Sequence, residues 1–258
     1  MKSLLKKIFY LNFIIKLRNI LNFKALNINK DILEGKISVS DSFCWRTDNG
    51  FETIIKFADL PLIFYNIKKS SVFIKVYSKK FRLIKEIKIE QLKHLNQITI
   101  SKELLGGIED YGTFLIFHKF KDSKPSNIFI SNRCYLGFSK DKNLYSFVHG
   151  NTLSRYINMD DPKNIKTDLV QTTPFLYKSK YRVQNYFEKD LNTEIFFANP
   201  TSKKITFKIN DKIQTLVDGE SIVIDTSESN TILIESNCLF LRPIVFDYKK
   251  EYIDVYHG

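Results

Sequence analysis

Ser131-Asn132-Arg133-Cys134, followed by Phe147-Val148-His149-Gly150, returns at the end of the chain as Ser236-Asn237-Cys238 and Val255-Tyr256-His257-Gly258. Both copies set a Ser-Asn-Cys turn before an aromatic and aliphatic run, and both close on His-Gly after a similar interval. The recurrence reads as an internal duplication. Outward from each copy lie short runs such as Val72 to Tyr77, Leu83 to Ile89, Thr113 to Phe120, Thr193 to Ala198 and Ser221 to Asp225, separated by turn residues. Ile205, Phe207 and Ile209 alternate with Thr206, Lys208 and Asn210, as in a strand with one dry face and one wet face. Twenty-two Phe and thirteen Tyr against three Ala favour a pleated surface over a helix.

These patterns predict an all-β protein of two tandem antiparallel β-sandwich domains, residues 36–150 and 175–258, joined by a linker over 151–174. Asn27 to Ser40 reads as a polar connector and Leu62 to Asn66 as a strand. Asn49-Gly50 supplies the two positive-φ positions of a tight hairpin. Ser101 to Gly107 reads as one helical turn closed by glycine.

Residues 1–24 are apolar and basic, without Pro or Gly, and residues 1–30 are predicted to form an N-terminal helix. Ile8 to Ile15 is the longest uncharged run in it, too short to span a bilayer. Lys16 and Arg18 behind that run do not suit a secretory signal. The expectation is a helix lying on an anionic membrane surface through residues 1–24, which places the protein in the cytoplasm, peripheral to the inner face of the cytoplasmic membrane.

The net charge of +12 comes largely from that segment: residues 1–30 hold seven Lys or Arg and no acid, leaving 33 basic against 28 acidic residues elsewhere. In the body, lysines such as Lys75 and Lys88 alternate with apolar residues as on a solvated strand face. No basic cluster is interleaved with stacking aromatics, so no nucleic-acid partner is expected. Cys44, Cys134 and Cys238 have no CxxC spacing and read as small core residues. The four histidines lack metal-ligand spacing and the nine glycines lack a phosphate-binding pattern, so neither a metal nor a cofactor is expected.

Two groups of residues carry candidate chemistry. Trp45, Arg46, Asp48 and Glu52 surround the Asn49-Gly50 turn; an aromatic beside a guanidinium and two carboxylates can hold a sugar by stacking and bidentate hydrogen bonds. The same four residues also suit a hairpin tip with a core Trp and a surface ion pair. His149 and His257 end the two copies, and with Asp254 they could act as acid and base if the halves meet. Alternatively, each His closes its strand on a neighbouring turn while the following Gly takes a positive φ.

The strings SDSFCWRTDNGFET (40–53), SNRCYLGFS (131–139), SFVHGN (146–151), ANPTSKK (198–204), LRPIVF (241–246) and VYHG (255–258) resemble those of an uncharacterised bacterial family found in surface polysaccharide (lipopolysaccharide or capsule) biosynthesis gene clusters. The second half is also faintly similar to the β-sandwich of sensory-rhodopsin transducer proteins. The first resemblance covers residues 40–258 and assigns no catalytic residue. It implies an accessory or carbohydrate-binding protein whose partner is a glycan, a lipid-linked saccharide or a polysaccharide-biosynthesis enzyme. The alternatives are a sugar-modifying or sugar-transferring enzyme using His149 and His257 at the domain interface, and a scaffold assembling through sheet edges.

Overall fold

The computed structural model of the chain describes residues 11, 13, 14, 16, 17, 35–121, 127–132, 134–142, 144–150, 153–167, 169, 179–184, 191–227, 231–238 and 241–258. Phe13, Ile14, Lys16 and Leu17 are helical. The expected N-terminal helix other than residues 11, 13, 14, 16 and 17, and residues 151, 152, 168 and 170–174 of the expected linker, lie outside the described residues.

The body is almost entirely β. In chain order it runs β1 (Lys36–Asp41), β2 (Phe43–Arg46), β3 (Phe51–Ala58), α1 (Leu60–Tyr65), β4 (Ser70–Ser78), β5 (Leu83–Ile89), β6 (Leu95–Ile100) and β7 (Tyr111–Phe120). It continues with β8 (Ile128–Asn132), β9 (Tyr135–Lys140), β10 (Tyr145–His149), β11 (Leu153–Asn158) and β12 (Asp161–Lys166). The second half holds β13 (Ser179–Gln184), β14 (Asn192–Ala198), β15 (Ile205–Ile209), β16 (Lys212–Leu216), β17 (Ser221–Asp225), β18 (Thr231–Ser236), β19 (Ile244–Lys249) and β20 (Tyr252–His257).

These strands make five four-stranded sheets. Sheet A is ordered β2-β7-β4-β5 and sheet B β10-β9-β3-β6; in the second half sheet A′ is β13-β18-β15-β16 and sheet B′ β20-β19-β14-β17. Matched strand by strand, A and A′ have one order and B and B′ another. A fifth sheet, C, ordered β12-β11-β1-β8, has no counterpart, and its β1–β8 pairing is parallel where every other described pairing is antiparallel.

The halves do not bury separate cores. Ile55, Phe57, Leu136 and Phe138 of sheet B meet Val72, Ile74, Phe114 and Ile116 of sheet A, and the same cluster takes in Phe196, Ala198, Ile244, Phe246 and Val255 of sheet B′. The opposite face of B′, with Ile195, Phe197 and Val245, packs on Phe207, Ile232 and Ile234 of A′. Sheet B′ is therefore dry on both faces, which explains why Ile195-Phe196-Phe197-Ala198 is a continuous apolar run. The edges of B and B′ also touch: Ser146 Oγ donates to Asp254 Oδ1 at 3.2 Å and accepts from the Val255 amide at 2.9 Å.

Several expectations are corrected. Residues 153–166 were expected as linker but form β11 and β12, and β11 pairs with β1 inside the expected polar connector. The signal is weak because β11 is dry on both faces, with Ser154, Arg155, Tyr156 and Ile157 all buried. Asn49 and Gly50 do take positive φ, 49° and 75°. Their turn carries the chain from β2 in sheet A to β3 in sheet B and so forms a corner rather than a hairpin. The predicted strand at Leu62 is helix α1, capped by Asp59, whose Oδ1 accepts from the Leu62 amide at 3.2 Å, with Pro61 in the first turn and Asn66 in the left-handed conformation at the end. Ser101 to Gly107 is the single turn expected, with Gly106 and Gly107 at φ 71° and 90°. Neither Gly150 nor Gly258 has a positive φ. All three cysteines are free and buried, and burial raises the thiol pKa of Cys44 and Cys134.

Candidate functional site

The first predicted site resolves into two different things. Trp45 is fully buried, and its Nε1 donates to the Tyr77 carbonyl at 2.8 Å, so it offers no ring face to a sugar. Gly112 sits opposite it in β7 because the Tyr77 carbonyl oxygen lies 2.1 Å from where a Cβ would stand. The apolar neighbours Phe43 and Phe51 of a lone Trp are what mark it as core, and they outweigh the charged residues beside it in sequence.

Arg46 is equally buried and joins the halves. Its Nε and Nη2 donate to Asp48 Oδ1 and Oδ2 at 2.9 and 2.8 Å, and Nη1 pairs with Glu194 Oε2 of β14 at 2.5 Å. The guanidinium lies 4.1 Å from the Phe51 ring centroid and 4.9 Å from that of Phe246, so rings of both halves cover it. Burial opposes its charge, and the hydrogen bonds and charges of Asp48 and Glu194 more than offset that, holding its pKa above the ordinary guanidinium value. Tyr248 Oη accepts from Asn49 Nδ2 at 3.0 Å; burial, followed by the Glu194 charge, pushes that phenol up to about 12. Arg46 and Asp48 thus belong to an anchor between halves rather than a ligand site.

The structure does bring the two predicted histidines together. His257 Nε2 donates to the His149 carbonyl at 3.1 Å, one half closing on the other half's strand end. Burial, helped by the Arg242 charge, lowers the His257 pKa, which favours the neutral ring. Asp254 instead holds Ser146. Among the described residues no group of three or more His, Cys, Asp or Glu could hold a metal ion.

What the sequence reading missed is the outer face of sheet B. Side chains alternate across a strand, so Tyr145, Phe147 and His149 of β10 share this face with Tyr135 and Gly137 of β9. Register places Glu52, Ile54 and Lys56 of β3 beside them, then Thr99 and Gln97 of β6. The result is a platform of three rows, about 7 Å apart along the strands, with neighbouring strands about 4.8 Å apart. One row reads His149-Tyr135-Lys56-Gln97 and the next Phe147-Gly137-Ile54-Thr99.

Gly137 makes the centre of the platform low. A Cβ there would fall 2.6 Å from the Phe147 ring, so the ring lies down over the glycine. Lys56 Nζ stands 4.6 Å from the centroid of that ring. Tyr135 and His149 rings pack at 4.8 Å. Despite these contacts Tyr135 remains 56% exposed and Phe147 43%. Aromatic rings with one free side, edged by Lys56, Gln97, Thr99, Glu52 and His149, offer apolar contact and hydrogen bonding on one plane. Of the predicted site residues, Glu52 and His149 lie here. The signal available in the sequence was the aromatic alternation at 145, 147 and 149.

The chain matches no family model and no curated protein sequence. Among solved structures it is similar to the alpha-L-rhamnosidase of Streptomyces avermitilis complexed with L-rhamnose, with 9% sequence identity, a TM-score of 0.20, and coverage of 90% of this chain. The chain spans 29% of the length of that enzyme.

Proposed function

We propose that the chain is a non-catalytic glycan-binding protein that holds a saccharide on the outer face of sheet B. The observation that carries this reading is the exposed Tyr135–Phe147 platform, laid over Gly137 and edged by hydrogen-bonding side chains. A pyranose ring has an apolar face of C–H groups and a rim of hydroxyls, and it needs both kinds of partner at once. The resemblance to proteins of surface polysaccharide gene clusters supports a bacterial surface glycan or its lipid-linked precursor as the ligand class, and the basic, apolar sequence of residues 1–24 supports the inner face of the cytoplasmic membrane as the place. The matching strand orders of A with A′ and B with B′ support descent of the halves by tandem duplication. Acid–base chemistry at His149 and His257 is the weaker reading, since His257 uses Nε2 to fasten the two halves and Asp254 is engaged with Ser146.

The test is a glycan-array screen of the full chain, followed by calorimetric titration of any ligand found. Tyr135→Ala and Phe147→Ala should each weaken binding by roughly tenfold, the size of one aromatic contact. Equal affinity of wild type and both variants would defeat the proposal, and release of a new product from the bound glycan would favour the enzyme reading.

A further inference from the structure

Helix α1 turns two unlike faces outward and inward. Inward, Leu60 and Ile67 pack with Phe120, Ile128, Ile130 and Met159. Outward, Ile63-Phe64-Tyr65 stand in solvent, Ile63 at 53% and Phe64 at 69% exposure. Phe129 of β8, also exposed, lies beside them, and Tyr65 Oη donates to its carbonyl at 3.2 Å. Phe64, Tyr65 and Phe129, together with Leu60, Ile130 and Ser131, line an open apolar cleft of about 370 Å³. Such a patch on a short, firmly capped helix is held out of the core by the cap itself, so its exposure is built into the fold.

Its surroundings are basic. Lys68 and Lys69 follow α1 and are exposed; Lys121 is exposed next to Phe120, which pairs with Ser70. Lys36 Nζ lies 5.8 Å from the Phe120 ring centroid. Among the described residues the acids near this end are Asp160 and Asp161 at the β11–β12 junction, where the Met159 amide donates to the Lys36 carbonyl, while Asp59 is buried in the helix cap. The described chain enters β1 here, where the Gly35 carbonyl accepts from the Ile128 amide at the start of β8; in sequence β1 is preceded by residues 1–30, with seven basic residues and no acid, and by Asp31 and Glu34.

We infer that the α1 end is a membrane contact in its own right, with Ile63, Phe64 and Tyr65 entering the headgroup layer of an anionic bilayer while Lys68, Lys69 and Lys121 lie against lipid phosphates. Apolar and aromatic residues in front and lysines behind match the chemistry of that interface. A protein partner would find the same apolar groove, but the lysines and the apolar, basic leading segment share one preference, for an anionic lipid surface. The inference stands independently of the glycan reading.

Phe64→Trp in the full chain provides a probe at that position, against the constant background of Trp45, which is fully buried. With vesicles of phosphatidylcholine and phosphatidylglycerol, the added indole should shift to the blue and be quenched by bromine-labelled lipid, and the effect should be weak with phosphatidylcholine alone. Adding Lys68→Ala and Lys69→Ala should lower partitioning roughly 25-fold, about fivefold for each lysine. If the chain pellets with vesicles while the indole at 64 is neither shifted nor quenched, only the leading segment touches lipid and the inference falls. It falls equally if the chain does not pellet, or if the indole shifts with protein concentration in the absence of lipid, which would make a second copy the occupant.

Discussion

Replacing Arg46 with Met tests whether the two halves are one cooperative unit. In the native protein one fully buried guanidinium answers two carboxylates, Asp48 with 25% of its side chain exposed and Glu194 with 17%. Met fills part of the space between Phe51 and Phe246 but leaves both carboxylates without their cation. Breaking a buried ion pair from one side costs about 3–5 kcal/mol. For a chain of this size each kcal/mol lowers Tm by about 2–4 °C, so Arg46→Met should melt about 6–20 °C below wild type by differential scanning calorimetry at neutral pH. A cycle identifies the cause. In a Glu194→Gln background one of the two orphaned charges is already gone, so the same Arg46→Met step should cost about 1–2 kcal/mol less. Additivity within about 0.5 kcal/mol would refute the ion-pair argument. Because the core clusters of sheets A, B and B′ are continuous, wild type should melt in a single transition; two resolved transitions would refute the shared core.

Other perturbations report on other parts of the same structure. Gly112→Ala drives a Cβ into the Tyr77 carbonyl, a backbone atom that no rotamer can move, and should lower stability by about 3 kcal/mol, read from the urea midpoint. Gly137→Ala meets only the Phe147 ring, which can lift; stability should change by less than about 1 kcal/mol, while the NMR shifts of the Lys56 side chain, now under ring current, move. His257 has a folded pKa below the ordinary imidazole value of 6.5, so the unfolded chain takes up its proton first as the pH falls. The stability it contributes is complete above that value and declines as pH drops from 6.5 towards the folded pKa. His257→Gln should flatten this part of the urea-midpoint profile between neutral and mildly acidic pH; an unchanged slope would place the titration elsewhere.

Strands with one dry and one wet face were legible in the sequence because their period is two: β4 falls on the run Val72 to Tyr77, and β15 on the alternation of Ile205, Phe207 and Ile209 with Thr206 and Lys208. Segments dry on both faces were legible where they are mostly apolar, as in β7 and β14 on the runs Thr113 to Phe120 and Thr193 to Ala198, and were not in β11. In β11 a buried Arg155 interrupts the apolar pattern, and its guanidinium is supported by Asp218 and the Phe81 ring, partners far away in sequence. Helix α1 was misread as a strand because Leu62-Ile63-Phe64-Tyr65 is a β-prone run. The cap signal, Asp59 followed by Pro61, was local and available. The Trp45 cluster was misplaced for a different reason. Composition alone cannot tell a sugar-stacking indole from one whose N–H is answered by a carbonyl 32 residues later. The anchoring role of Arg46 depends on Glu194, which no spacing rule connects to it.

Sheets B and B′ share a strand order, yet their equivalent outer faces have opposite fates. On B′ that face presents Phe196, Ala198, Ile244 and Phe246, with Glu194 as the charged member, and it is buried against the first half with Arg46 answering the glutamate. On B it presents Tyr135, Gly137, Phe147, His149 and Lys56, and it stays in solvent. Aliphatic residues and Phe gain from full burial and ask for no polar partner. Tyr, His and Lys on a flat face would each carry a polar group into a protein contact that must then satisfy it. The composition of B is therefore wrong for joining to another half of the same kind and suited to a ligand that is itself part apolar and part hydroxyl. That difference between two topologically equivalent faces is the physical reason why the proposal puts a glycan on sheet B rather than at the Trp45 corner or at the two histidines.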